Sequence, residues 1–215
     1  MRLAAISTAS MAALALAAPA AIAAPPQGAS HYAFKVLRDG SEVGSHTFDF
    51  DRSGDTIGVR IATNIAVKIV FVTVYRFEHQ ARETWRLDRL VELRTKTNDD
   101  GTAHHLEAAA SVGGLVVNAD GNETKADANI VPASLWNIRL VKQGVLLNSL
   151  DGTQMPVTVA DLGDERVTVR GGQAMAHHYH IDGGLKRDVW YDTNQNLVRV
   201  KFAAKDNSTI VYELQ

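Results

Sequence analysis

Thr56-Ile57-Gly58-Val59-Arg60-Ile61-Ala62-Thr63-Asn64-Ile65-Ala66-Val67-Lys68-Ile69 is the stretch on which the fold turns. Ile57, Val59, Ile61, Ile65, Val67 and Ile69 fall on one parity, interrupted only by Thr63, while the other parity holds Arg60, Asn64 and Lys68 among small residues. Successive side chains of a strand point to opposite faces, so this pattern gathers the branched apolar residues on one buried face; a helix would scatter them around its circumference.

The same rhythm extends both ways. Downstream, Tyr75, Phe77, Ala81, Trp85 and Leu87 share a face opposite Arg76, Glu78, Gln80, Arg82 and Arg86. Asp88-Arg89 and Asn98-Asp99-Asp100-Gly101 supply turns around Leu90 to Thr97. Upstream, Tyr32 to Arg38 leads through Asp39-Gly40 into a strand with His46, Phe48 and Phe50 on one face. Asp and Gly tolerate the positive φ that tight hairpins require. Beyond residue 144 the rhythm predicts strands near 145–150, 154–161, 165–170, 173–181, 185–191, 197–204 and 208–214. Breaks fall at Gly163-Asp164, Gly171-Gly172 and Asp182-Gly183-Gly184.

One stretch reads as helical. Pro132 suits a first helical position, Leu135, Trp136, Arg139 and Leu140 have helix-like spacing up to Lys142, and Gly144 is a stop. Taken together the pattern predicts an all-β chain, a large antiparallel meander curved into a half-barrel or open barrel around one short helix. A β-sandwich is the alternative. A sheet of so many strands must curl, close or split. No Pro-, Gly- or Ser-rich linker divides it, and a single domain over residues 32–215 is expected after a flexible segment at 24–31.

Residues 1–23 read as a secretory signal peptide. Arg2 precedes an Ala- and Leu-rich run that includes Leu14 and Leu16, Pro19 breaks it, and Ala21-Ile22-Ala23 offers the small residues a signal peptidase selects. The run is too short for a membrane span, so the sequence predicts export to the periplasm with no transmembrane segment. Cysteine is absent from the chain, which excludes disulfides and a lipoprotein-type anchor. About 190 residues remain after the leader, enough to bury a core without such staples. Formal net charge is −2 with both signs interspersed, and no basic stripe marks a nucleic-acid partner.

Several segments resemble a family of exported bacterial proteins of unknown function. They are the opening hairpin ending in Arg38-Asp39-Gly40-Ser41-Glu42-Val43-Gly44, then Tyr75-Arg76-Phe77-Glu78-His79, Thr97-Asn98-Asp99-Asp100-Gly101, Pro132-Ala133-Ser134-Leu135-Trp136-Asn137 and Asp188-Val189-Trp190-Tyr191-Asp192. The resemblance spans nearly the whole mature chain. The closing pattern is also similar to a wider class of periplasmic β proteins. Those resemble in fold the carriers and receptors of the outer-membrane lipoprotein pathway, whose curved sheets cup acyl chains. It implies a fold and an envelope setting; it transfers no activity and no catalytic residues.

Two constellations carry candidate chemistry. His178 and His180 project in parallel from one strand, a workable two-ligand metal arm whose third ligand could come from His79, His104 or Asp188, none of which the sequence places beside the pair, while His177 points the other way. His79 and Glu83 share the parity of Tyr75, Phe77, Ala81 and Trp85, which aims polar groups at the core, where they must be paired or line a wet cavity. A Gly-X-Ser-X-Gly elbow is lacking, and no glycine pair opens a helix, so serine-nucleophile and phosphate-loop chemistry find no support.

Three functions remain open on the sequence alone. The first is a non-enzymatic periplasmic protein that binds an apolar small molecule or lipid-like ligand on the concave face of the sheet. Ile61, Ile65, Tyr75, Phe77, His79, Glu83, Trp85 and Trp136 would line that site, with no cofactor. The second is a metal-assisted envelope hydrolase built on His178 and His180. The third is a structural or assembly factor acting through a sheet edge.

Overall fold

A computed structural model describes residues 30–215. The signal peptide expected at 1–23, and the following segment up to residue 29, lie outside the described residues; His31 already belongs to the first strand. Strands β1 (His31–Arg38), β2 (Ser41–Ser53), β3 (Thr56–Ile69), β4 (Val72–Arg86), β5 (Arg89–Asp99), β6 (Thr102–Ser111), β7 (Gly114–Ala119) and β8 (Asn122–Ala126) run as one antiparallel meander. After a crossing segment come β9 (Val131–Pro132), β10 (Val145–Leu147), β11 (Gln154–Val169), β12 (Gly172–Gly183), β13 (Arg187–Tyr191), β14 (Leu197–Ala203) and β15 (Thr209–Leu214).

All fifteen join in one sheet, ordered β8-β7-β6-β5-β4-β3-β2-β1-β15-β14-β13-β12-β11-β10-β9. The first and last strands of the described chain therefore pair at its centre, Phe34 opposite Leu214. Every neighbouring pair is antiparallel except β9 and β10. The sheet is not closed: β8 and β9 are its two edges. The β8 edge is nevertheless met by the start of β11, where Gln154 Nε2 donates to the Lys125 carbonyl at 3.1 Å. Gly152 also seats on the inner face of β6 and β7, where a Cβ would lie 2.8 Å from Leu106 Cδ1 and 2.9 Å from Val117 Cγ1. A half-barrel that wraps its own core is the result, in agreement with the all-β, open-barrel expectation.

The β3 parity sets the inside. Val59, Ile61 and Val67 are buried with Thr63, and Phe48 on β2, Trp85 on β4 and Leu93 on β5 join them. The register pairs Ile61 with Phe48 on one side and Ala81 on the other. Gly44 is required by close approach: a Cβ there would fall 1.9 Å from the Asn64 carbonyl oxygen of β3.

Three expectations are corrected. The helix predicted from Pro132 does not form; Val131–Pro132 is a strand, and only a 3-10 turn, Ile138–Lys142, is helical. Leu135 at φ 70 and Asn137 in extended geometry (ψ 106) cannot propagate an α-helix, and Asn137 instead caps the turn by accepting from the Arg139 amide. Leu135, Trp136 and Leu140 are all buried, so their spacing records a plug enclosed on several sides rather than one helical stripe. Second, the strands expected at 154–161 and 165–170 are one, β11, with Leu162 the extra residue of a bulge between Asp161 and Gly163 opposite β12. Third, Ile69 and Leu87 are not buried: Ile69 lies where the β3–β4 ribbon extends past its neighbours β2 and β5, and Leu87 sits in a turn (φ 46).

Candidate functional site

The inner face has a closed half and an open end. In the closed half, Glu83 is 2 % exposed. Its Oε2 accepts from the indole nitrogens of Trp85 at 2.7 Å and Trp136 at 2.8 Å. The two indoles meet edge to face at 5.6 Å, and Phe50 closes on Trp136 at 5.4 Å. Leu135 takes its left-handed conformation here to turn Trp136 inward, and its carbonyl accepts from the Tyr191 hydroxyl at 2.7 Å. Burial raises the Glu83 pKa, while Trp85, Ser134 and Trp136 work against the rise. Ser134 thus faces the carboxyl group, although Ser134 Oγ and Glu83 Oε1 each lack a partner of hydrogen-bond geometry.

Next to this core a polar row crosses the sheet. His46 stands opposite Thr63, Thr63 opposite His79, His79 opposite Thr97 and Thr97 opposite His104, from β2 through β6. His46 Nδ1 meets Thr63 Oγ1 at 2.7 Å, and His79 Nδ1 meets Thr97 Oγ1 at 2.8 Å. Burial lowers the His79 pKa to about 4. The same desolvation, with His79 and Arg187 nearby, lowers His46 to about 3, so both imidazoles are neutral at physiological pH. His46 Nε2 is buried and unpartnered.

Past the row the inner face opens. Ile65, Tyr75 and Phe77 are half-buried, and the Tyr75 hydroxyl donates to Asp99 at 2.7 Å, with burial and that carboxylate raising its pKa. Across the sheet stand Phe202 and Tyr212, with ring centroids 6.0 Å apart, and the Arg187 guanidinium lies 4.4 Å above the Phe202 ring. The β3–β4 hairpin continues outward as Ile69, Val70, Phe71 and Val72, with Val70 81 % and Phe71 93 % exposed.

The sequence-predicted site residues thus divide. Ile61, Glu83, Trp85 and Trp136 come together in the closed core, Ile65, Tyr75 and Phe77 line the open end, and His79 sits between them in the polar row. His178 and His180 share one carboxylate: His178 Nε2 and His180 Nδ1 each lie 2.9 Å from Asp188 Oδ1. His178 stacks on Trp190 at 4.2 Å and reaches Glu165 at 3.1 Å. Among the described residues, no three His, Asp or Glu side chains gather in an arrangement that could hold a metal ion. His177 sits between Asp161 and Asp164 at 2.6 Å each, and these carboxylates raise its pKa.

Sequence reasoning missed Arg187 and Tyr212 and left His46 without a role. A signal existed: Arg187 shares parity with the buried Val189 and Tyr191, which puts a cation on an inward face.

Fold and site together define an open, barrel-like antiparallel β protein with a sealed aromatic core and an accessible inner end. A crystal structure of a beta-barrel-like protein of domain of unknown function DUF1849 from Brucella abortus shares this fold. The TM-score is 0.60 at 12 % identity, over 86 % of this chain and 94 % of that one. The chain belongs to the family described as domain of unknown function DUF6134, whose model matches residues 34–215. Comparison with curated proteins finds no match. No helix among the described residues is long and apolar enough to cross a membrane.

Proposed function

We propose that this protein is a non-enzymatic, periplasmic binding protein that holds an apolar or lipid-like ligand at the open end of the inner face. The observation that carries the reading is placement. Half-buried Ile65, Tyr75 and Phe77 lie on the same β3–β4 ribbon as the exposed apolar tip Ile69–Val72, so apolar side chains stand between solvent and the polar row. Contiguous exposed apolar surface on a soluble fold marks an interaction site, and apolar walls converging on a few placed polar groups are the usual make-up of a ligand site. Ile61, Trp85 and Trp136 then serve as the floor, sealed by their own packing, rather than as ligand contacts.

The test is titration of purified protein with Nile red, an uncharged probe, alongside organic extraction and mass spectrometry of gently purified material. Saturable probe binding that is lost in Phe77→Glu and kept in Arg60→Glu, on the outer face, is the expected result. Protein that carries no extractable apolar molecule and leaves Nile red unbound overturns the proposal.

A further inference from the structure

At the boundary between the polar row and the open end lies a cation with no anion. Arg187 is half-buried on the inward parity of β13, and among the described residues no carboxylate lies within salt-bridge distance of it. Its neighbours are the Phe202 ring and the Tyr212 hydroxyl, which favours its charged form. Tyr212 in turn packs at 5.1 Å against His46, whose Nε2 is buried without a partner. His46 is 6 % exposed, so that nitrogen has little recourse to bulk water. Asp99 is engaged by Tyr75 and does not compete for the guanidinium.

Such an arrangement is costly in isolation. Burying a guanidinium without an opposite charge, and a ring nitrogen without a partner, forfeits hydration that the protein does not replace. Burial indeed works against the charge on Arg187, and only Tyr212 supports it. A guanidinium fork is suited to bidentate capture of a carboxylate or phosphate, and a neutral imidazole in its N–H tautomer can add a third donor.

We infer that the ligand is an anionic amphiphile whose single carboxylate or phosphate head is taken by Arg187, with His46 and Tyr212 beside it, while its chain lies along Ile65, Phe77 and Phe202. This rests on the apolar-ligand reading above and adds the charge of the head group. A neutral guest of the same length would leave Arg187 and His46 Nε2 as they are and gain only the apolar contact.

The experiment is displacement of Nile red from the intact protein by dodecanoate, dodecyl phosphate and dodecanol, each below its micelle-forming concentration, in slightly alkaline buffer. Both anions should displace the probe at concentrations lower than dodecanol by roughly tenfold or more, the increment expected for hydrogen bonds to a charged group. The ratio between the two anions tells a carboxylate source from a phosphate one. In Arg187→Met, which keeps the apolar stem, the anions should lose that advantage over dodecanol. Arg187→Lys should keep part of it, and serves also if the Met variant does not fold. Equal displacement by all three compounds in the wild type, or an anion preference that survives Arg187→Met, overturns the inference while leaving the apolar site intact. Failure of Nile red itself to bind removes the underlying reading and this one with it.

Discussion

Oε2 of Glu83 accepts from the indole of Trp136 at 2.8 Å, across 53 residues of sequence, and so ties the crossing segment to the C-terminal part of β4. The second indole, from Trp85, uses the same oxygen. Glutamine at this position keeps an acceptor for both indoles and turns an amide donor toward Ser134 Oγ, whereas alanine leaves two buried N–H groups unpaired. Glu83→Gln should therefore hold its melting temperature near wild type, and Glu83→Ala should lose about 2–5 kcal/mol in urea unfolding. The sign of the pH effect follows from the raised pKa. The folded state holds the Glu83 proton more tightly than the unfolded chain, so stability from this group falls as pH rises from the unfolded value through the folded one. Glu83→Gln should flatten that slope.

How the core was legible and the open end was not comes down to the distance over which each pattern acts. The β3 parity announces its buried face because neighbouring side chains alternate locally, and Trp85 with Glu83 follows from β4 alone. Trp136 is legible as an inward-facing apolar residue of the predicted helix, but its conformation is not. The positive φ of Leu135 answers to a Tyr191 hydroxyl that arrives from β13, which no local spacing encodes. The meeting of Arg187, Tyr212 and His46 depends on β15 pairing with β1, which joins the first and last strands of the described residues. Bulges at Val67/Lys68 and Asp161/Gly163 likewise reset parity without changing composition.

Acid should loosen the polar row. The folded-state pKa values of His46 and His79, about 3 and about 4, lie below the unfolded value of 6.5. Between pH 6.5 and about 4 the unfolded chain binds the extra protons, so stability present above 6.5 is lost as pH falls through that window. For His79 the full shift corresponds to at most about 3 kcal/mol. Urea midpoints measured across the window should decline for the wild type and decline less steeply for His79→Gln, whose amide can still bond Thr97.

On the outer face, Asp49, Arg60, Arg82, Arg94 and Glu107 stand directly opposite one another across β2 to β6. Three arginines in a row repel, and the flanking acids form no ion pair with them; Asp49 bonds His31 at 2.7 Å, and Arg94 instead takes Glu92 at 2.7 Å. Arg82→Glu converts two like-charge cross-strand pairs into attractive ones. It should stabilise the fold by about 0.2–1 kcal/mol, a gain that shrinks in high salt. Thermal melts at low and high ionic strength read both parts.

The hairpin tip should govern how ligand arrives rather than how tightly it is held. β2 pairs with β3 only as far as Ile65, and β5 pairs with β4 only from Phe77, so the hairpin from Ala66 to Arg76 projects beyond its neighbours on both sides. A two-stranded ribbon with an uncovered apolar tip contributes little to the core, and Val70 and Phe71 touch none of it. Val70→Asp combined with Phe71→Asp should therefore leave the melting temperature and the affinity for Nile red in water unchanged. Each apolar side chain transferred into a bilayer surface gains about 1.5–3 kcal/mol, so the double variant should take Nile red from phosphatidylcholine vesicles roughly tenfold more slowly or worse. Equal uptake rates for the variant and the wild type, followed by stopped-flow fluorescence, would show that the tip plays no part in ligand transfer. Reduced affinity in water with uptake lowered in proportion would instead place the tip in the binding site itself.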